Sequence, residues 1–189
     1  MKKILIGTHN QGKFKEIAYL IKKKIKKVSP ISLQIKSPKE TGKTFNSNSK
    51  LKAKYFSKFV NYPVISDDSG LCIRSLKNKP GIYSARLAQK KGNFYKAMKY
   101  ILIKMKNKKD RSAYFVCSLT FKEPKKRTVT VLGKIHGTIS KIIIGKKGFG
   151  YDPIFIPKKK KQTFGEMKFS SKCKIDHRSI AFKKIKKFL

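Results

Sequence analysis

Acidic side chains are scarce in this chain. Nine Asp and Glu stand against forty-nine Lys and Arg in 189 residues, a formal charge of +40. Cysteine is also sparse: Cys72, Cys117 and Cys173 are odd in number, far apart and without a C-x-x-C pair. That excludes a disulfide framework or a Cys-based zinc site, and fits a reducing, cytoplasmic setting. No apolar run approaches the roughly 18 residues of a membrane span, so no membrane partner is expected. The apolar stretch after Met1 is too short for a signal peptide and reads as a first strand. Arginine is rare as well, with only Arg74, Arg86, Arg111, Arg127 and Arg178. Arg is the residue favoured for reading bases and gripping phosphates in two-pronged fashion. The lysines that make up the rest are spread along the whole chain. The charge therefore predicts weak, nonspecific adsorption to nucleic acid at low salt rather than specific recognition.

What is present is a folded composition, 39% hydrophobic and 11% aromatic. The length suits one domain over residues 1–189, with a substantial core. Ile4 to Gly7 predicts a buried strand. Phe14, Ile17, Ala18 and Ile21 recur at helical spacing, as do Leu51, Tyr55 and Phe59 behind a capping region at Asn46 to Ser49. Val64 to Ser66 predicts a short strand, and Leu71 to Leu76 another after a Ser-Gly turn. Phe94 to Met105 predicts a third helix. Ser112 to Phe121 and Arg127 to Ile135 predict a hairpin around Pro124. Ile139 to Ile144 predicts a further strand, and Ile180 to Phe188 a last helix. Helices and strands alternate early and a hairpin comes late, which predicts a mixed-sheet α/β domain.

In a chain so short of acids, the remaining ones are informative. The densest group is Ser66-Asp67-Asp68-Ser69-Gly70-Leu71. An acid pair at the end of an apolar run suggests a divalent metal handling a polyanion, because Mg2+ takes carboxylate oxygens and meets phosphates. The plainer reading is a turn before Gly70. Successive strand residues face opposite ways, so Asp67 and Asp68 are not expected to share a role. The run Gly7-Thr8-His9-Asn10-Gln11-Gly12-Lys13-Phe14 nearly spells a Walker A loop. Phe14 stands where a hydroxyl should hold the metal, and belongs to an apolar helix face. What survives is a strand turning into a helix N-terminus, which suits an anion, with Asn10 and Lys13 as added donors. An ordinary turn remains the alternative. Gly145 to Pro153 offers glycines for close backbone approach, with aromatics able to stack on a base. Lys172 is followed by Asp176-His177-Arg178, whose His and Arg offer donors to a carbonyl or phosphate oxygen, with a structural His-Arg before the last helix as the alternative.

Together these segments resemble the inosine triphosphate pyrophosphatase family, which acts on non-standard purine nucleoside triphosphates. The matching pieces run in order. They are Thr8 to Lys13 with Glu16, Glu40-Thr41-Gly42 with Thr44-Phe45, Ser66 to Leu71, Pro80 to Arg86, Gly148 to Phe155, Glu166, Lys172 and His177-Arg178. The resemblance implies an elongated mixed β-sheet flanked by helices, in two lobes with the active site in the cleft between them, and a homodimer. It implies Mg2+-dependent hydrolysis of a purine nucleoside triphosphate (ITP, dITP or XTP) to the monophosphate and pyrophosphate. By the same resemblance Thr8, His9, Asn10, Gln11, Gly12 and Lys13 hold the triphosphate, and Ser69 contacts substrate. Glu40 and Asp68 bind Mg2+, with Asp68 also the proton acceptor. Phe149, Gly150, Tyr151 and Asp152 line the nucleotide pocket, and Lys172, His177 and Arg178 recognise the base. Two positions depart from the family: Asp176 replaces Ser before His-Arg, and Ser47 replaces Glu before Asn48. An acid at 176 can pair with Lys172 or Arg178, or accept from a purine 2-amino group. Loss of the acid at 47 can weaken metal binding. A P-loop NTPase and a basic nucleic-acid-binding module are the competing readings.

Overall fold

The computed structural model describes residues 2–126 and 128–189. The expected hairpin start at Arg127 lies outside the described residues. The strands are β1 (Lys3–Ile6), β2 (Lys26–Val28), β3 (Val64–Ile73), β4 (Lys79–Pro80), β5 (Ser112–Lys122), β6 (Thr128–Ile139) and β7 (Phe155–Pro157). The α-helices are α1 (Gln11–Leu20), α2 (Phe45–Phe56), α3 (Ser84–Lys90), α4 (Phe94–Lys104), α5 (Phe169–Ile175) and α6 (His177–Ile185). The seven strands form a mixed sheet in the order β2-β1-β3-β5-β6-β7, with β4 paired to β3. Strands β2 and β3 run parallel to β1, whereas β4 and β7 are antiparallel to their neighbours. This is the mixed α/β sheet with flanking helices that the sequence predicts. No helix among the described residues is long and apolar enough to cross a membrane.

By packing the chain divides into two compact units. The first holds Met1–Asp68, Cys117–Gly133 and His177–Leu189. Its centre is β1 beside β3, with Leu5 opposite Val64 and Ile6 opposite Ile65. Both strands are apolar on both faces, as strands covered on both sides must be. Ile4, Ile6 and Ile65 pack with Ile17, Ile21, Ala181 and Ile185 of α1, its C-terminal end and α6. Leu5 and Val64 point the other way, onto Phe56 of α2 and Ile35. Helix α2 begins with a capping box: Ser47 N–H donates to Thr44 Oγ1 at 3.0 Å, and Thr44 N–H donates to Ser47 Oγ at 3.0 Å. The second unit holds Ser69–Val116 and Lys134–Asp176. Leu71, Ile73, Phe115, Phe155 and Phe164 pack there with Ala97, Met98 and Ile101 of α4, the apolar stripe seen in the sequence.

Three expectations are corrected. The Ser-Gly turn does not exist; β3 runs unbroken through Ser69 and Gly70, and residues 74–76 are a 3-10 turn. Gly70 serves close approach: a Cβ there would lie 2.1 Å from the Gly81 carbonyl oxygen. Helix α2 is capped by Thr44, so Asn46 to Ser49 lie inside it and Phe59 lies beyond its end. No strand covers 140–144; β6 ends at Ile139 instead.

Gly133 of β6 seats helix α6. A Cβ there would lie 2.1 Å from the His177 carbonyl oxygen and 2.4 Å from the Ala181 nitrogen. Both obstacles are backbone, so relief requires moving the helix. Gly133→Ala is expected to lower stability by about 1–3 kcal/mol, the usual range for overpacking. Urea unfolding measures it, and an unchanged midpoint would show that α6 can shift without strain.

Candidate active site

In the first unit, β1 hands its C-terminal end to a short loop. Gly7 N–H donates to Ile65 O at 2.8 Å, holding that loop against β3. A Cβ at Gly7 would lie 2.2 Å from Ser66 Oγ and 2.5 Å from Phe56, so only glycine allows this approach. Asn10 caps α1, its Oδ1 accepting Lys13 N–H at 2.9 Å. Asn10 N–H in turn donates to Thr8 Oγ1 at 3.2 Å. The His9 Nε2 contact with Ile35 O at 2.9 Å makes that nitrogen the donor and ties the loop to the chain after β2. The N-terminal N–H groups of α1, at Gln11 and Gly12, have no carbonyl of their own turn to meet, which is the arrangement that receives an anion. Phe14 is partly buried and packs on the core.

The acid pair lies beside this loop because β3 is parallel to β1. Side-chain alternation along β3 then separates the two carboxylates. Asp67 shares the face of Ile65, toward α1 and α6. Its Oδ2 meets Lys13 Nζ at 3.3 Å and Arg178 Nη2 at 3.4 Å. The Arg178 guanidinium also reaches Glu16 Oε2, from Nη1, at 2.7 Å. Asp68 shares the face of Val64, toward α2, where Asn48 Nδ2 donates to its Oδ2 at 3.0 Å. One turn further along α2, Lys52 Nζ pairs with Glu40 Oε1 at 2.6 Å. The expectation that adjacent acids have different surroundings follows directly from the strand.

Charge and burial tune this group. Asp68 is 4% exposed. Desolvation pushes its carboxyl above the ordinary range, and the charge of Glu40 adds to that. The Lys13 and Lys52 ammoniums and the Asn48 hydrogen bond oppose it. Burial alone would pull Lys52 down. The carboxylates of Asp67, Glu40 and Asp68 outweigh it and hold the ammonium above its usual value. A buried carboxylate with a raised pKa beside cations marks a candidate functional group.

Of the remaining expected residues, His177 is buried at the start of α6 in the first unit, and the second unit carries Ser69, Phe149 to Asp152 and Lys172. Ser69 is half-buried in β3. Gly148 and Gly150 take left-handed backbone, φ +74° and +67°, and fold the chain around Asp152. Asp152 Oδ2 accepts Phe149 N–H at 2.8 Å and forms an ion pair with Lys172. Lys172 is 2% exposed, with its Nζ 4.8 Å from the Phe149 ring centre. Tyr151 is a core residue: its hydroxyl donates to Ser84 O at 2.8 Å, its ring meets Phe94 edge-on, and burial raises its phenol well above the ordinary value. Asp176 is buried at the C-terminal end of α5. Ser47 spends its hydroxyl on the α2 cap.

Three participants were given no role by the sequence. Asn48 and Lys52 are one helical turn apart, a spacing that puts both on the same face of α2. Nothing marked that face as turned toward β3. Glu16, three residues after Lys13, was visible only as part of a motif.

A sequence profile of the Ham1 family matches residues 4–188. The chain belongs to the Ham1 family. It is 40% identical to the dITP/XTP pyrophosphatase of Bacillus subtilis, covering 100% of this chain and 98% of that one. It is also 40% identical to the dITP/XTP pyrophosphatase of Dictyoglomus thermophilum, covering 98% and 93%. The Ham1 protein of Staphylococcus aureus superposes with a TM-score of 0.87 at 34% identity, covering 99% of this chain and 97% of that one. A Ham1 protein from Coxiella burnetii gives 0.88 at 30% identity, covering 100% and 98%. Lys52 extends the Ham1 motif set read from the sequence by one electrostatic partner of Asp68. Lys52→Met removes a charge that lowers the Asp68 pKa, so the acidic limb of the kcat/KM–pH profile should move to higher pH. A limb at the wild-type position would show that Lys52 exerts no field on Asp68.

Proposed function

We infer that this Ham1 chain hydrolyses non-standard purine nucleoside triphosphates, ITP, dITP and XTP, to the monophosphate and pyrophosphate. In that role it removes deaminated purines before they enter nucleic acid. The observation that carries the reading is the buried Asp68 carboxylate, with its pKa raised, flanked by Lys13 and Lys52 beside a helix N-terminus. The match to relatives named dITP/XTP pyrophosphatase supplies the substrate class. The whole chain, residues 1–189, is proposed to work as one pyrophosphatase domain, which the family match over residues 4–188 supports.

The roles are those the family resemblance implies, and elementary chemistry agrees with them. Thr8 to Lys13 hold the triphosphate through backbone N–H groups and the Lys13 ammonium. Asp68 accepts the proton of the attacking water, and desolvation, by raising its pKa, makes it a stronger base for that work. Glu40 and Asp68 are the proposed Mg2+ ligands. The donor set fits a hard divalent ion: Glu40 raises Asp68 through its charge, and a cation shared by two such carboxylates relieves that repulsion. What Mg2+ supplies there is charge neutralisation at the phosphate oxygens. Ser69, Phe149, Gly150, Tyr151 and Asp152 are assigned to nucleotide contact by the resemblance, Tyr151 through its backbone because its side chain lies in the core. Lys172, His177 and Arg178 are assigned to the base, where donors favour a 6-oxo group and oppose a 6-amino group. A cytoplasmic homodimer completes the proposal, on family resemblance.

The decisive assay offers ITP, XTP, GTP and ATP at equal concentration with Mg2+ or with EDTA, and resolves the products. Mg2+-dependent IMP and pyrophosphate, with ATP nearly untouched, is the expected outcome. Diphosphate plus inorganic phosphate would favour the P-loop reading instead. Asp68→Asn keeps the side-chain shape and removes the base, so kcat should fall by about 10²–10⁴-fold with the fold retained. Full activity in that variant would remove Asp68 from the chemistry.

A further inference from the structure

Helix α2 carries two buried polar side chains one turn apart, Asn48 and Lys52. The Asn48 amide joins the two segments that bear Glu40 and Asp68. Its Nδ2 donates to Asp68 Oδ2 at 3.0 Å, and its Oδ1 accepts Gly42 N–H at 2.8 Å, just after Glu40. A Cβ at Gly42 would lie 2.4 Å from Ser47 Oγ and 2.5 Å from Asn48 Oδ1, so the chain there is pressed against α2. Beside the segments so joined, α2 places an ammonium. Lys52 Nζ meets Glu40 Oε1 at 2.6 Å, with the lysine side chain 6% exposed and the glutamate 28%. Burial opposes a charge at that depth. The carboxylates of Asp67, Glu40 and Asp68 overcome it and keep Lys52 protonated. Asp68 in turn feels both Lys52 and Glu40. One lysine thus already serves as counter-cation to the two carboxylates assigned to Mg2+.

We propose that Lys52 is a positioning residue that acts as resident counter-cation to Glu40 and Asp68, opposes a divalent ion in the free protein, and yields to it when a nucleoside triphosphate arrives. The proposal rests on the pyrophosphatase reading, which names the two metal ligands, and adds an order of binding to it. A carboxylate oxygen that accepts from an ammonium at 2.6 Å is held in a charge-assisted hydrogen bond. A divalent ion either takes that oxygen from the ammonium or binds beside a like charge. Both routes are opposed, and burial sharpens the opposition. Mg2+ also gives up water reluctantly, and is usually held by one or two carboxylates together with substrate phosphates. Phosphate oxygens reverse the balance: they bring ligands for the ion and a second anion for the ammonium. The metal therefore enters with the triphosphate, and Lys52 holds the acid pair together before it does.

The test is Mn2+ binding to the full chain, read from the loss of the free-ion electron paramagnetic resonance signal, with and without a non-hydrolysable ITP analogue. Wild-type protein should bind Mn2+ weakly alone and about tenfold more tightly with the analogue, a usual size for coupled binding. Lys52→Met keeps the stem and removes the charge. Without nucleotide it should bind Mn2+ about tenfold more tightly than wild type, and gain little more from the analogue. Lys50→Met removes one charge from an exposed position of the same helix and should leave the wild-type affinity. Mg2+ alone should raise the melting temperature of Lys52→Met by more than that of wild type, which a merely structural lysine would not cause. Equal Mn2+ affinity in wild type and Lys52→Met overturns the proposal. So does micromolar binding by the wild-type protein without nucleotide, whichever variants fold. Mn2+ bound by none of these proteins, with or without the analogue, removes the metal site and the proposal together. A wild-type protein that makes no IMP would sink the functional reading, while the nucleotide-free comparison still decides the role of Lys52.

Discussion

A carboxylate taken out of water needs cations or hydrogen-bond donors around it to stay charged, and two adjacent ones on a strand need them on opposite faces. Asp67 and Asp68 impose that demand on the first unit. The α1/α6 face answers with Lys13 and Arg178, and Glu16 balances the second of these. The α2 face answers with Asn48, and with Lys52 held by Glu40. Helix placement, the capping of α1 and the seat of α6 on Gly133 all serve to bring those groups to β3.

Magnitudes separate this network from the surface. Removing one partner of a buried pair costs about 3–5 kcal/mol, because the other charge is stranded. That is a large share of the roughly 5–15 kcal/mol that holds a domain folded. An exposed pair such as Lys126 with Glu123 contributes about 0–1 kcal/mol. The inner ion pairs thus tolerate only replacements that keep shape, whereas the outer ones can be exchanged freely. The same ordering holds in the second unit, where the buried Lys172–Asp152 pair and the Phe149 N–H fix the Gly148–Gly150 turn.

Elements whose stability comes from their own side chains were legible in the sequence. The apolar stripe of α4 and the strands β1 and β5 fall where periodicity puts them. The opposed faces of Asp67 and Asp68 needed only the geometry of a strand. Features decided by a distant neighbour were not legible. Ser69-Gly70 reads as a turn, yet the glycine lies mid-strand because the Gly81 carbonyl presses against it. Asn46 to Ser49 read as a cap, yet Thr44 takes that place through its reciprocal bonds with Ser47. Lys52 looks like one more surface lysine until Glu40 is brought beside it. The family motifs named Lys13, Glu40, Asp68 and Arg178, but not the ion pairs that join them.

The placement of the acids has a consequence for what lies outside. Five of the nine, Glu16, Asp67, Asp68, Asp152 and Asp176, are buried. Water therefore sees an almost unmixed field of lysines, and the two regions answer to different pressures. The exterior can drift with whatever codons the genome supplies, one lysine replacing another polar residue with little change in stability. The interior acids cannot follow so freely, since Glu16, Asp67 and Asp152 each pair with a buried cation that would be left charged and alone. Charge is thus sorted by depth in this molecule: lysines dominate what water meets, and most of the carboxylates lie beneath them.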